Sequence, residues 1–569
     1  MVEGTPLLRE QRVKPLESSN LSLSAIFSWF SFLSSSVLLA LWCACARKTF
    51  TDKQLRERSY LDMSKTEQGR CRTGIAGLDD ILRGGLPRNR LYLVQGEPGT
   101  GKTTLALQYL LEGARQGEKG LYITFSETEE ELNTVAASHG WDLKDISLFE
   151  LSSLEEQLQP ESQNTVFHPS EVEMNQTTAL LLAEVERVKP TRVVFDSVSE
   201  MRMLAETPLK YRRQMLSLKQ FFSGRNCTVM VLDDRTAAPT DLQVQSIVHG
   251  VINLQKMHPE FGGERRRLNI VKVRGIKFTG GYHDYIIQTG GIEVFPRMIS
   301  TQHLTEFKRE RISSGIPRMD ALLGGGLDAG TSTLFLGPAG TGKSTLSILY
   351  AAAAAQRGEH AMIFAFEESI DTLLARTAAL GMDLKKYLAE GLLEVRKIDP
   401  AELSPGEFAD SVRSSVLAKK PRVIVIDSLN GYLQAMPQEQ FLILQLHELL
   451  AFLGNQGVAT ILVLAQQGLL GSAMTAPMDI TYLADTVVIT RFFEAAGAVK
   501  KAVSVMKKRG GSHETTIREF AIGKNGITVG EPLSEFQGVL TGIPSFHGKQ
   551  QKILEKENGS RGRAKRSKS

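Results

Sequence analysis

The chain repeats itself at long range, and this repeat limits its possible folds more than any other feature. "TGIAGLDDILRGGL" at 73–86 returns as "SGIPRMDALLGGGL" at 314–327, with Gly74 and Gly315 lying 241 positions apart. "GEPGTGKTT" (96–104) returns as "GPAGTGKST" (337–345), and "ITFSETEEEL" (123–132) as "FAFEESIDTL" (364–373), both at that same spacing. The spacing then shortens to 231, which sets Asp427 of "RVIVIDS" (422–428) opposite Asp196 of "RVVFDS" (192–197). It is 235 for "VKVRG" (271–275) and "VMKKRG" (505–510), aligning Lys507 with Lys272 and Arg509 with Arg274. Five landmarks kept in one order, twice, describe a duplicated domain. The 569 residues exceed one ordinary core and suit two domains of roughly 200–250 residues.

Both copies alternate short apolar, β-branched runs with helix-length segments: "LYLVQG", "GLYITF", "RVVFD" and "CTVMVLD", then "STLFLG", "AMIFAF", "RVIVID" and "ATILVLA". Runs this apolar read as parallel strands buried on both faces by helices, so each copy is predicted to be a doubly wound α/β domain. The boundaries read as 67–306 and 307–546, with an extension at 1–66 and a basic, polar tail at 547–569. The first copy holds a net ten extra residues between Glu127 and Asp196, near the polar stretch 152–173. That stretch suits a surface loop, either a tolerated insertion or a place where a partner binds.

Both GxxxxGK[ST] elements lie between a strand and a helical run, the setting a phosphate-binding P-loop needs. Gly96, Gly99 and Gly101 with Thr100, and Gly337, Gly340 and Gly342 with Thr341, let backbone N–H groups converge on phosphate oxygens. Lys102 and Lys343 would neutralise the outer phosphates of ATP, and Thr104 and Thr345 complete the loops. Thr103 and Ser344 offer hydroxyls to Mg²⁺, while Asp196 and Asp427 end apolar strands where a carboxylate orients the hydrated ion. A hydrolytic site also needs a base for the attacking water, and Glu127 and the pair Glu367, Glu368 end the strand that follows the P-loop helix. Glu129, Glu130 and Glu131 read instead as acids that start the next helix and suit its dipole. Lys272 with Arg274, and Lys507 with Arg509, alternate on a strand and so point to one face. If that face meets a neighbouring subunit's nucleotide they act as arginine fingers; otherwise they form a solvated basic face.

A formal net charge of +4 is weak for this length and does not imply nucleic acid. Four cysteines without zinc-like spacing indicate neither a disulfide framework nor a metal cage and fit a reducing compartment. Residues 21–46 carry no charge, end at Arg47-Lys48 and are long enough to span a bilayer. Met63 begins a fresh methionine start just before the globular pattern, so a start codon assigned too far upstream would look the same. A membrane tether through 21–46 and a cytoplasmic protein with a spurious extension both stay open.

Taken jointly, the paired "GTGKT" and "GTGKS" loops, the openings at Gly74, Ile75, Asp79 and Gly315, Ile316, Asp320, the strand-end acids, "SHGWD" (138–142) and "KKRGGSHETTIREF" (507–520) resemble the KaiC family of tandem RecA-like ATPases. The resemblance covers roughly residues 67–546 and looks closer to non-clock members than to the clock protein. It implies homo-hexameric double rings with ATP held between subunits, slow hydrolysis in the first ring and, in clock members, autophosphorylation in the second. It also implies catalytic roles for Glu127, Glu367 and Glu368, with Ser126 where the first copy's second acid would stand. Ser138 matches a nucleotide-contacting serine; Lys272, Arg274, Lys507 and Arg509 match the trans-acting basic strand, followed by His513 but by Phe278 in the first copy. The phosphorylated Ser-Thr pair falls on Thr481 and Tyr482, which keeps one acceptor hydroxyl and makes Thr481 the candidate phosphosite.

The leading expectation is therefore a regulatory ATPase using ATP and Mg²⁺, with Ser/Thr autokinase activity as its extension and signalling proteins as partners. Two rivals remain. A RecA-class DNA-acting ATPase would want a basic, flexible pore loop, which neither copy shows clearly; "GERRRLNIVKVRG" (263–275) is the best candidate but runs straight into the basic strand, so DNA is not the expected partner. A nucleotide-gated scaffold would have at least one ring that barely hydrolyses. Ser126 is no base at neutral pH, so the two sites are expected to be unequal, with the second better equipped.

Overall fold

A computed structural model describes residues 69–151, 169–205, 207–234, 243–259, 262–300, 305–434, 439–468, 480–524, 526–540 and 544–547. The apolar segment 21–46, the polar stretch up to 168 and the tail from 548 lie outside these residues. No helix among the described residues is long and apolar enough to cross a membrane.

Two nine-stranded sheets carry the fold. The first comprises β1 (Leu91–Gly96), β2 (Gly120–Thr124), β3 (Ile146–Glu150), β4 (Arg192–Asp196), β5 (Thr228–Asp234), β6 (Gly250–Met257), β7 (Arg265–Val273), β8 (Tyr282–Gln288) and β9 (Gly291–Phe295). Their spatial order is β3-β2-β4-β5-β1-β6-β7-β8-β9. The second comprises β10 (Ser332–Pro338), β11 (Ala361–Ala365), β12 (Leu393–Lys397), β13 (Val423–Asp427), β14 (Ala459–Gln466), β15 (Thr486–Ala495), β16 (Ala498–Lys508), β17 (Ile517–Gly523) and β18 (Gly526–Pro532). Its order, β12-β11-β13-β14-β10-β15-β16-β17-β18, repeats the first strand for strand. Six strands of each sheet run parallel, and an antiparallel meander of three more extends one edge. This is the α/β P-loop architecture that the apolar runs predict.

Side-chain alternation explains why the sheets are covered on both faces. Tyr92, Val94, Tyr122, Val194 and Met230 enter one core, while Leu91, Leu93, Leu121, Ile123, Val193 and Phe195 enter the other. Full burial of each such aliphatic side chain contributes about 1.5–3 kcal/mol, so neither face can be left to water. The recurrent "GI…D" opening has a structural purpose: Asp79 accepts from Thr73 N–H at 2.8 Å, and Asp320 from Ser314 N–H at 2.8 Å. These carboxylates tie down the entering chain.

The two halves are joined by polar contacts that burial makes specific. Arg265 on β7 donates to Glu402 O at 2.9 Å and to Pro400 O and Ala401 O at 3.0 Å. Asp284 on β8 accepts from Gly406 N–H at 2.8 Å, in the first turn of helix Pro405–Lys419. A carboxylate suits that helix end, and the Gly406 hydrogen bond and Arg265 oppose the rise that burial imposes on the Asp284 carboxyl pKa. A Cβ on Gly406 would lie 2.6 Å from Asp284 Oδ2. Gly406→Ala is thus expected to cost about 1–3 kcal/mol by overpacking and a damaged hydrogen bond, read as a lower thermal midpoint. An unchanged midpoint would show that the contact yields freely.

Candidate active sites

Each P-loop strand is followed by a glycine in the left-handed region that turns the chain into a 14-residue helix. Gly101 has φ 87° before helix Lys102–Arg115, and Gly342 has φ 98° before helix Lys343–Gln356. Only glycine adopts this conformation without strain, and the turn aims the helix's free N–H groups into the loop.

In the first site Lys102 is nearly buried and donates to Gly96 O at 3.1 Å and Glu97 O at 3.2 Å. It also forms an ion pair of 2.7 Å with Asp234, the last residue of β5. Thr103 Oγ1 donates to Asp196 Oδ2 at 3.1 Å, and the Tyr122 hydroxyl donates to the same oxygen. Glu127 follows β2, where its N–H donates to Thr124 Oγ1 at 2.9 Å and its Oε2 is buried without a hydrogen-bond partner. Burial, then the negative charges of Asp196, Glu131 and Asp234, push the Glu127 carboxyl up to about 7 against the pull of Lys102. Glu131 caps its own helix: its N–H donates to Thr128 Oγ1 at 3.2 Å, and its Oε2 accepts from Thr128 N–H at 2.8 Å. Glu129 and Glu130 fill the rest of that first turn.

The second site uses the same parts differently. Lys343 Nζ donates to Pro338 O at 2.7 Å, and burial lowers its ammonium to about 8 despite Asp427 and Glu367. Ala465 pairs with Gly337 as Asp234 does with Gly96, so no acid stands beside this lysine in that position. Ser344 hydrogen-bonds Asp427, whose carboxyl is raised by burial. Glu367 Oε1 accepts from Ser428 Oγ at 2.5 Å. Glu368 is clamped by Arg376, whose Nε and Nη2 reach its two oxygens at 3.0 and 2.7 Å, while Nη1 donates to Thr345 Oγ1 at 3.0 Å. A cavity of about 610 Å³ opens here, lined by Gly340, Gly342, Lys343, Glu367, Arg376 and Lys501 among others. That volume suits a nucleotide-sized ligand.

The hydroxyl–carboxylate pairs Thr103–Asp196 and Ser344–Asp427 offer the hard oxygen donors that Mg²⁺ prefers. No group of three or more His, Cys, Asp or Glu that could cage a metal occurs among the described residues.

The basic strands lie away from their own P-loops. Lys272 pairs with Val251, which neighbours Leu93, three residues before Gly96. Lys507 pairs with Val487, which neighbours Leu334, three residues before Gly337. At about 3.3 Å per residue this is a displacement of roughly 10 Å toward the opposite end of the sheet. A bulge at each pairing leaves Val271 and Met506 unmatched and exposed. Lys272 donates to Gln245 O and Arg274 to Ser246 O at 3.0 Å. Lys507 donates to Thr481 O at 2.9 Å and Ala484 O at 2.8 Å, and Arg509 to Tyr482 O at 2.9 Å. Thr481 therefore sits in a loop tied to the second basic strand. His513 is half-buried in the segment after Arg509, Phe278 packs on the first core, and Ser138 is exposed with its Oγ donating to Val135 O at 2.7 Å.

Asp234 and Tyr122 in the first site, and Lys501 and Arg376 in the second, escaped sequence reasoning. Lys501 and Arg376 reach the second cavity from an antiparallel strand and from the last turn of a helix. No motif marks either; only the 241-residue alignment, which puts Val135 opposite Arg376, could have flagged one. The candidate DNA loop also reads differently in space. Arg265 is spent on the second half, Arg266 on Glu264 at 2.5 Å, and Arg267 on Gln255 at 2.9 Å and over the Tyr282 ring.

The chain matches the family described as "ATPase: KaiC" over residues 71–299 and again over 312–534. It is 28% identical over 491 residues to the circadian clock oscillator protein KaiC of Parathermosynechococcus lividus, covering 83% of this chain and 87% of that one. With its namesake from Synechococcus elongatus it shares 28% over 485 residues, covering 84% and 92%.

Proposed function

Because this chain belongs to the KaiC family of ATPases, matching it once in each half, we propose that it is an ATP-hydrolysing regulatory protein with two chemically unequal sites. The observation that carries this reading is the convergence, at both P-loops, of a buried lysine, a hydroxyl and a strand-end carboxylate. Lys102 and Lys343 bind the outer phosphates, and the P-loop N–H groups orient them. Thr103 with Asp196, and Ser344 with Asp427, would hold Mg²⁺, which would supply neutralisation of phosphate charge. Glu127 in the first site, and Glu367 or Glu368 in the second, take the proton from the attacking water. Its oxygen bonds to the γ-phosphorus as the bond to the bridging oxygen of ADP breaks.

Lys272, Arg274, Lys507 and Arg509, displaced from their own P-loops, suit a neighbour's nucleotide, which favours a homo-oligomeric ring of the hexameric kind. A second reading, phosphoryl transfer to Thr481, is supported by the hydrogen bonds that tie its loop to Lys507 and Arg509. Incubation with Mg·ATP is expected to release ADP and phosphate, and a Lys102→Ala/Lys343→Ala chain should release almost none. Wild type no faster than that double variant would sink the hydrolytic reading. Peptide mapping of the same samples should find phosphate on Thr481; an unmodified chain after many turnovers would remove the kinase reading and leave the ATPase.

A further inference from the structure

The two copies differ at a pair of positions that act on one another. Glu367 and Glu368 stand in the second copy where Ser126 and Glu127 stand in the first, and Arg376 stands where Val135 does. Arg376 lies in helix Ile370–Ala379, and its side chain points back toward the helix start, as helical side chains do. There it grips both oxygens of Glu368 and bridges to Thr345 on the P-loop helix. Glu367 is left facing Ser428, with Lys343 and Asp427 within electrostatic reach. In the first copy Val135 has nothing to donate and packs on the apolar core. Glu127 is accordingly unclamped, one carboxylate oxygen is buried with no hydrogen bond, and the group feels Asp196 and Lys102.

We propose that the residue at 376, and its counterpart at 135, is a positioning residue that decides which strand-end acid serves as the base. Arg376 removes Glu368 from the reaction by holding it on the P-loop helix, so Glu367 works alone. Val135 releases Glu127, which occupies the position aligned with Glu368 and takes the role that Ser126 cannot fill. The loss of one acid and the loss of the clamp thus compensate within the first copy. This rests on the hydrolytic reading above.

The test uses the full chain with the first P-loop disabled by Lys102→Ala, so that only the second site turns over, with binding of a fluorescent ATP analogue checked in every variant. Glu367→Ser should slow ATP turnover by about 10²–10⁴-fold. Adding Arg376→Val, which recreates the first copy's pair, should restore about tenfold or more of that loss. Arg376→Lys, which keeps a cation on Glu368, should restore much less, and Glu368→Gln added to the rescued variant should erase the gain. Conversely, Val135→Arg in a Lys343→Ala chain should depress first-site turnover. A Glu367→Ser/Arg376→Val chain that binds nucleotide yet turns over no faster than Glu367→Ser overturns the proposal alone. A Lys102→Ala parent that binds ATP without hydrolysing it overturns the hydrolytic reading of the second site and the proposal with it.

Discussion

With the second P-loop disabled by Lys343→Ala, Glu127→Gln is expected to slow first-site ATP turnover by about 10²–10⁴-fold while ATP still binds, the usual worth of a positioned general base. Gln keeps the size of the side chain but cannot accept a proton. The pH dependence carries a sign. Burial raises Glu127 first, Asp196, Glu131 and Asp234 raise it further, and its carboxyl reaches about 7 against Lys102. A base works when deprotonated, so kcat/KM, which reports the free enzyme, should be level above about 7 and fall roughly tenfold per pH unit below it. Steady-state rates from acid to mildly alkaline pH check this. A level profile, or turnover indifferent to Glu127→Gln, would show that Glu127 is not the base of the first site.

In the reciprocal chain, where Lys102→Ala leaves only the second site, adding Lys343→Ala is expected to weaken ATP binding by about 10²–10³-fold. A buried ammonium that meets phosphate makes a charge-assisted contact of that order. Here too pH should matter, in the opposite direction. Burial lowers the empty-site lysine to about 8, so above that value binding must first supply its proton, and affinity should fall by up to tenfold per unit. Titration with ATP across this range measures it. Lys102 differs because Asp234 already neutralises it at 2.7 Å, so incoming phosphate competes with a carboxylate. Affinities that ignore pH in the second site would mean that Lys343 stays charged whether or not nucleotide is present.

The duplicated α/β architecture was legible in the sequence because its strands are apolar on both faces, which leaves few alternatives for runs such as "RVVFD" and "RVIVID". The P-loops were legible because a phosphate cradle needs glycines at fixed offsets. What escaped depends on contacts between distant segments. Arg376 sits on a helix whose pattern is otherwise ordinary, and its partner Glu368 looked like half of a working pair. Likewise "ERRRLNIV", part of the best available candidate for a basic pore loop, has three arginines that each meet a partner no local spacing reveals. A charge run says how many cations there are, not what they face.

Arg265 and Asp284, which dock the first half onto the second, have aligned counterparts 235 positions on: Lys500 and Glu519. These two instead pair with each other, Nζ to Oε1 at 3.1 Å. The first copy therefore ends in a plug and the second in a closed terminus, with its coupling groups satisfied in place. Docking is thus written into one copy only: Arg265 and Asp284 keep their partners in the second half, where the corresponding residues of the second copy answer each other.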